Sequence, residues 1–164
     1  MAPPRVQFFG WLSWKGRIKT SCFLQRLGVL SRGSNVNCIF CNNDLESLNH
    51  VLLFCPFTWR ILSKILEWWG VKWAIPGSVG SLFLWWVGTK FKKKEMVLWN
   101  IIPLEVLWSI WKQRNDSIFN GSLVDFEELC DVIKIRIALW FRSSSPSFNF
   151  SGNDIVYNLQ QVKF

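Results

Sequence analysis

The sequence lacks several features that would assign it to a common class of enzyme. It contains a single histidine, His50, so any Ser-His-Asp arrangement would depend on that one residue. It has no phosphate-binding loop of the form GxxxxGK[ST] and no paired-aspartate signature of a polymerase. These absences argue against a nucleotide hydrolase, a polymerase and a serine hydrolase.

Segments for secretion or membrane insertion are also missing. No charged region followed by a long apolar run opens the chain, so we expect no secretory signal. The longest apolar candidate, residues 96–111, is interrupted by Asn100, Pro103 and Glu105. It therefore predicts a core helix, with a role at a membrane surface as the alternative. Five cysteines are an odd number and fit a reducing compartment better than a disulfide framework. We expect an intracellular protein, nuclear or cytoplasmic, with no membrane partner.

Acidic residues are absent from residues 1–43, although basic residues are frequent there. The basic residues of this segment are Arg5, Lys15, Arg17, Lys19, Arg26 and Arg32. Such a segment attracts phosphate backbones by releasing their counterions, with little dependence on base sequence. Lys15, Arg17, Lys19 and Arg26 are therefore candidate contacts to RNA or DNA. The alternative is a solubilising face that binds no partner.

A second basic cluster follows the middle of the chain. Lys92, Lys93 and Lys94 form a lysine run that predicts either a nucleic-acid or nuclear-import patch or the solvated start of a helix. We keep all three as candidate nucleic-acid contacts.

Metal-binding residue types are concentrated between Cys38 and Cys55. Cys38, Cys41, His50 and Cys55 follow the pattern Cys-x2-Cys-x8-His-x4-Cys. A tight turn lets the first two sulfurs point at one ion, and His50 and Cys55 lie about one helical turn apart. The pattern predicts a closed, four-coordinate structural zinc site. Because no ligand position remains for an activated water and His50 is already used, we expect no enzymatic activity and no small-molecule substrate.

Other interpretations of these cysteines remain open. Cys38 and Cys41 alone could form a redox dithiol, and a free cysteine is commonly a small buried hydrophobic residue. Cys22 and Cys130 lie in apolar, periodic segments outside the pattern, so we predict that they pack in the core.

The residues around the cysteine-histidine pattern resemble a known family. The matching stretches are PPRVQFFGW (3–11), GRIKT (16–20), LGV (27–29), ESLNH (46–50) and CPF (55–57). Together they resemble the zinc-binding domain that follows the reverse transcriptase in plant LINE-type (non-LTR) retrotransposon polyproteins, over residues 3–70. Residues 108–119 are similar to the segment that leads toward RNase H in these polyproteins. The resemblance implies bound Zn²⁺ and, as partners, nucleic acid or other retroelement polyprotein domains. Because no polymerase precedes Met1, we expect a free-standing remnant.

The hydrophobic pattern predicts an all-α fold. We expect a small helical domain with a Cys3His zinc knuckle and a C-terminal helical extension. The Pro76-Gly77 loop signal divides a zinc-binding domain at 1–75 from the extension at 76–145, and the polar residues 146–164 predict a flexible tail.

Two functions are consistent with these patterns. The first is a non-catalytic zinc-binding module that assists nucleic-acid binding. The second is a helical protein-interaction scaffold or retroelement remnant in which zinc is purely structural.

Overall fold

The structure is a computed structural model that describes residues 2–144, 151–157 and 159, except for the side chain of Lys94. The described chain is helical. Its α-helices are α1 (Pro4–Trp14), α2 (Ser21–Arg26), α3 (Pro56–Trp69), α4 (Val79–Gly88), α5 (Lys93–Trp99), α6 (Ile102–Asn120), α7 (Phe126–Ser144) and α8 (Gly152–Tyr157). A single π-helical turn, His50–Phe54, precedes α3. The predicted all-α fold is confirmed.

Helix ends follow local signals in the sequence. The Thr20 hydroxyl accepts the backbone N–H of Phe23 at 3.3 Å and begins α2. Asp125 does the same for α7, through the N–H of Glu128 at 2.8 Å. Gly70 and Gly121 end α3 and α6 in the left-handed conformation, which a glycine adopts without steric cost.

Helix α6 is central to the packing. Helix α1 and the π-helical turn contact it, as do α3, α5 and α7. At Gly10 the α1 backbone comes so close that an added Cβ would overlap the Cδ2 atom of Leu104. Residues on both sides of the Pro76-Gly77 loop therefore share one core, which includes Val51, Leu66 and Ile110.

Tryptophans build much of this core. The rings of Trp86 and Trp99 stack with centroids 4.4 Å apart, and each indole N–H donates to the carbonyl of the other residue at 3.0 Å. Trp69 adds a third buried ring, 5.6 Å from Trp99. Pairing each indole N–H with a carbonyl removes the cost of burying that donor.

One segment of the predicted tail forms a helix. Within the predicted tail, α8 packs on α7 and buries Ile155 and Val156. These adjacent apolar residues give the segment a hydrophobic anchor. Residues 146–150, 158 and 160–164 of the predicted tail lie outside the described residues. In the part of the chain that the structure describes, no helix combines the length and the apolar character needed to cross a membrane.

Candidate metal centre

A closed loop presents the first two candidate ligands. An antiparallel bridge joins Asn37 to Leu45, and the Cys38 N–H donates to the carbonyl of Asp44 at 2.8 Å. Between them, Asn42 adopts the left-handed conformation with φ 55° and donates its N–H to the Cys38 carbonyl at 2.7 Å. Asparagine tolerates this conformation better than most residues. The loop therefore turns sharply enough to bring Cys38 and Cys41 to the same side.

A π-helical turn presents the other two ligands. The Ser47 hydroxyl accepts the His50 N–H at 3.1 Å and starts the turn. The Cys55 N–H then donates to the His50 carbonyl, five residues back, at 2.7 Å. In an α-helix, positions five apart point about 140° away from each other, whereas the wider turn brings them closer to one side. The single helical turn expected between His50 and Cys55 is therefore π-helical.

The four side chains converge on one point. Their ligand atoms all lie within 4.8 Å of one another. The Cys38 and Cys55 sulfurs are 3.8 Å apart, and the Cys41 sulfur lies 3.3 Å from His50 Nε2. A zinc–sulfur bond of about 2.3 Å gives a tetrahedron whose sulfur–sulfur edge is about 3.8 Å. The separations thus fit one tetrahedral ion, and the cluster could bind a metal.

The surroundings of the cluster favour a soft cation. Cys38 and Cys55 have no exposed surface, and His50 is buried. The hydrogen bond to Cys55, together with burial, raises the pKa of the Cys38 thiol. The same hydrogen bond lowers the pKa of Cys55. Cysteine binds a metal as the thiolate, so a metal ion would displace the thiol protons of this pair.

Asp44 lies on the outer side of the histidine. Its carboxylate is 3.9 Å from His50 Nδ1, the ring nitrogen that faces away from Cys41. A carboxylate that accepts a hydrogen bond from a metal-binding imidazole orients the ring, but 3.9 Å is longer than such a bond. The position of Asp44 beside His50 cannot be read from the sequence, because the separation between them depends on the fold of the loop.

A buried ion pair fastens the metal-site loop to the rest of the molecule. Arg114 of α6 donates Nε to Glu46 Oε2 at 2.9 Å, and its second guanidinium nitrogen reaches the other carboxylate oxygen. The backbone N–H of Ser21 also donates to Glu46, at 2.7 Å. Glu46 is fully buried and Arg114 is 4 % exposed. No local signal in the sequence connects Arg114 to Glu46, because the two residues lie 68 positions apart.

The candidate nucleic-acid residues lie on the surface. Lys15, Arg17, Lys19, Arg26, Lys92 and Lys93 are exposed. Lys94 lies in α5, and its side chain is outside the described part. Lys92 and Lys93 lie at the start of α5, as the helix-start interpretation expects. Among the described residues, no ion pair involves a basic residue of the 1–43 segment. Within the described residues, these cations are therefore not neutralised by an ion pair.

The two remaining cysteines stay apart from the cluster. Cys130 is buried in α7, and burial raises the pKa of its thiol to about 11. Cys22 is partly buried in α2. Neither belongs to the group of four that could hold a metal.

The N-terminal region is similar to a known protein family. Residues 1–61 match the model of a protein family described as zinc-binding in reverse transcriptase. The comparison with curated proteins and the comparison with solved structures each found no match. The matched segment contains all four residues of the Cys3His cluster. Residues 1–61 are thus similar to the reverse-transcriptase zinc-binding family that the motifs of this segment predict.

Proposed function

We propose that this chain is a non-catalytic zinc-binding module that assists the binding of nucleic acid. The observation that carries the proposal is the convergence of Cys38, Cys41, His50 and Cys55 within 4.8 Å, inside the segment that matches the reverse-transcriptase zinc-binding family. By analogy with that family, we infer that the chain derives from a retrotransposon of the plant LINE type that its motifs resemble.

Zinc has a structural role in this proposal. Four protein ligands complete a tetrahedral shell, so no position is open for a water or a substrate. When bound, the ion supplies a cross-link between the Cys38–Cys41 turn and the His50–Cys55 turn. Three thiolates outweigh the charge of the ion by one unit, and the basic 1–43 segment keeps this region positive overall.

The basic segment provides the contacts to phosphate. Arg17 and Lys19 are exposed on either side of buried Ile18, which fixes the backbone between them. Phosphate contacts of this kind position a strand without reading its bases. We therefore expect affinity that is strong at low salt and similar for different sequences.

Charge reversal tests the proposal. Binding of a labelled 20-nucleotide RNA is measured by anisotropy at two salt concentrations for the wild type and for Arg17→Glu/Lys19→Glu. The double variant should bind all sequences more weakly, and each lost contact should reduce the salt slope by roughly 0.7 to 0.9. Lys92→Glu/Lys93→Glu changes the total charge equally and serves as the matched comparison.

The outcomes distinguish a dedicated N-terminal binding face, diffuse charge attraction and the absence of nucleic-acid binding. A larger loss from the Arg17/Lys19 variant supports a dedicated N-terminal face. Equal losses indicate diffuse attraction by a chain of net charge +8. No binding at low salt would contradict a nucleic-acid role and leave the helical protein-interaction scaffold.

A further inference from the structure

Helix α1 exposes aromatic residues where a surface helix normally carries polar ones. Its inner face consists of Val6, Phe9, Gly10 and Ser13, all buried. The outer face carries Phe8, Trp11 and Trp14, which are 59 %, 51 % and 53 % exposed. We call these three residues the α1 aromatic stripe. They are spaced three residues apart, so each lies about 4.5 Å further along the helix axis.

This exposure is unusual within the molecule. The chain has twelve tryptophans, all of them described, and only Trp11 and Trp14 are classed as exposed. The other ten are buried or partly buried. Contiguous exposed apolar surface rimmed by polar residues is typical of interaction sites. The stripe is therefore a candidate interaction site.

The charges around the stripe identify the kind of occupant. Exposed Arg5 lies toward one end of α1, where its guanidinium is 5.9 Å from the ring centre of Trp108. At the other end, the Lys15 ammonium lies 4.6 Å from the ring centre of Trp14. Arg17 and Lys19 continue the positive charge beyond the helix. Lysine is depleted at protein–protein interfaces, whereas cations beside aromatic rings are the combination that binds unpaired nucleic acid.

The arrangement of the rings favours an unpaired strand over a duplex. The rings of Phe8 and Trp11 are nearly parallel, with an interplanar angle of 21° and centroids 5.8 Å apart. In a duplex, base faces are covered by neighbouring bases, and rings on a convex helix cannot reach them without unpairing the strands. Successive bases of a stacked strand are about 3.4 Å apart, less than the spacing of the stripe. A flexible, unpaired strand can extend to match this spacing.

We propose that the α1 aromatic stripe is a stacking platform for an unpaired nucleic-acid strand, with Arg5, Lys15, Arg17 and Lys19 contacting the flanking phosphates. This inference rests on the proposed nucleic-acid function and adds a preference for unpaired over paired strands. Stacking supplies the preference, because both strand types offer phosphates but only the unpaired strand offers free base faces.

The test compares two probes and three variants. The probes are a fluorescein-labelled 20-nucleotide oligouridine and a 20-base-pair duplex, titrated by anisotropy at fixed salt. Trp11→Ala should raise the Kd for oligouridine about tenfold and leave the Kd for the duplex unchanged. Its salt slope should also stay unchanged, because no phosphate contact is lost. Trp11→Phe keeps a stacking ring and should restore most of the affinity.

Phe119→Ala is the matched control. Phe119 is 74 % exposed in the last turn of α6, outside the stripe, and its removal should not affect either probe. Circular dichroism melting and zinc content are measured for each variant. Because Trp11 has half its surface in solvent, we expect the Trp11 variants to retain the fold.

The inference and the function on which it rests fail in different ways. If the wild type binds neither probe, the proposed nucleic-acid function is wrong. If the wild type binds both probes and Trp11→Ala binds oligouridine as tightly as the wild type, only the stacking platform is wrong. Concentration-dependent self-association that Trp11→Ala abolishes, with oligouridine affinity intact, would identify the stripe as a contact between copies of the chain and would overturn the inference.

Discussion

At the scale of single residues, the contact between Glu46 and Arg114 connects the metal-site loop to α6. Both side chains are removed from water, and the carboxylate accepts from the guanidinium and from the backbone of Ser21. A buried pair of this kind gives less net stability than its geometry indicates, because both charges lose their hydration. Removing one partner is nevertheless costly, since the other charge stays buried alone.

We therefore expect Arg114→Ala to lower the free energy of unfolding by roughly 3–5 kcal/mol, measured by urea denaturation with zinc present. Lys112→Ala is the matched control. Lys112 lies on the same helix and pairs with Asp116 at 2.7 Å, but its side chain is half exposed. Its loss should cost less than about 1 kcal/mol. Similar effects of the two substitutions would show that the Glu46 contact does not hold the loop.

Glu105 provides a second test at this scale. Burial raises its pKa to about 7, despite a hydrogen bond from Ser109 and the nearby charge of Arg136. In the part of the chain that the structure describes, the Oε2 atom has no hydrogen-bond partner. The folded state holds the proton more tightly than the unfolded state, whose reference pKa is 4.5. The contribution of Glu105 to the free energy of unfolding should therefore be largest below about pH 4.5 and should fall as the pH rises to about 7.

The expected loss between these pH values is about 3 kcal/mol, from roughly 1.4 kcal/mol for each pKa unit. Urea denaturation of the wild type and of Glu105→Gln at pH 5 and pH 8 measures it. Glutamine cannot ionise, so the variant should lose this part of the pH dependence and gain stability relative to the wild type at pH 8. An unchanged pH profile in Glu105→Gln would contradict the assignment.

At the scale of elements, the close contact between α1 and α6 depends on a glycine, Gly10, which has no side chain. Gly10→Ala would place a methyl group against Leu104, so α1 must shift or the leucine must change rotamer. Overpacking of this kind costs about 1–3 kcal/mol, which exceeds the gain in helix propensity. Gly88→Ala, at the end of α4, meets nothing within 4 Å and is the control.

Thermal melting followed by circular dichroism compares the two variants. Gly10→Ala should melt below the wild type, whereas Gly88→Ala should melt at the same temperature or above it. If Gly10→Ala raises the melting temperature, the Leu104 side chain moves aside at little cost and the expected overpacking is wrong.

Several helix boundaries could be predicted from the sequence, because each has a local physical cause. Thr20 and Asp125 mark helix starts through their side-chain oxygens, and Gly70 marks a helix end. The Cys3His spacing identified the metal cluster because few other arrangements require those residue types at those intervals.

Features that depend on tertiary contact were not predicted. Glu46 and Arg114 are 68 residues apart, and nothing near either one indicates its partner. The π-helical turn depends on how the buried residues Val51, Leu52 and Leu53 pack against the core. The α1 aromatic stripe was visible in the sequence, but only the fold shows which aromatic residues face outward.

At the scale of the whole molecule, the zinc-binding segment shares its core with the later helices. Phe9 of α1 meets Trp108 and Trp111 of α6, with ring centroids 5.4 Å and 6.1 Å apart. Helix α3 also contacts α6 and α7. A fragment of residues 1–75 would expose these apolar surfaces and leave Glu46 without Arg114.

We expect the 1–75 fragment with zinc to lack cooperative thermal unfolding and dispersed amide signals in NMR spectra, while residues 1–164 show both. A fragment with dispersed signals and a cooperative transition would show that the predicted 1–75 domain folds on its own.

The central claim is that Cys38, Cys41, His50 and Cys55 bind one zinc ion. Its most direct test is elemental analysis of protein purified under reducing conditions, with Cys41→Ser and His50→Ala compared with Cys22→Ala and Cys130→Ala. The account predicts one zinc per chain in the wild type and in the last two variants, and a loss of zinc in the first two. A chelator should disorder residues 38–55, because structural zinc contributes on the order of 10–16 kcal/mol of apparent binding energy in small peptides. A fully folded wild-type protein that holds no zinc and takes up none when it is added would contradict the claim.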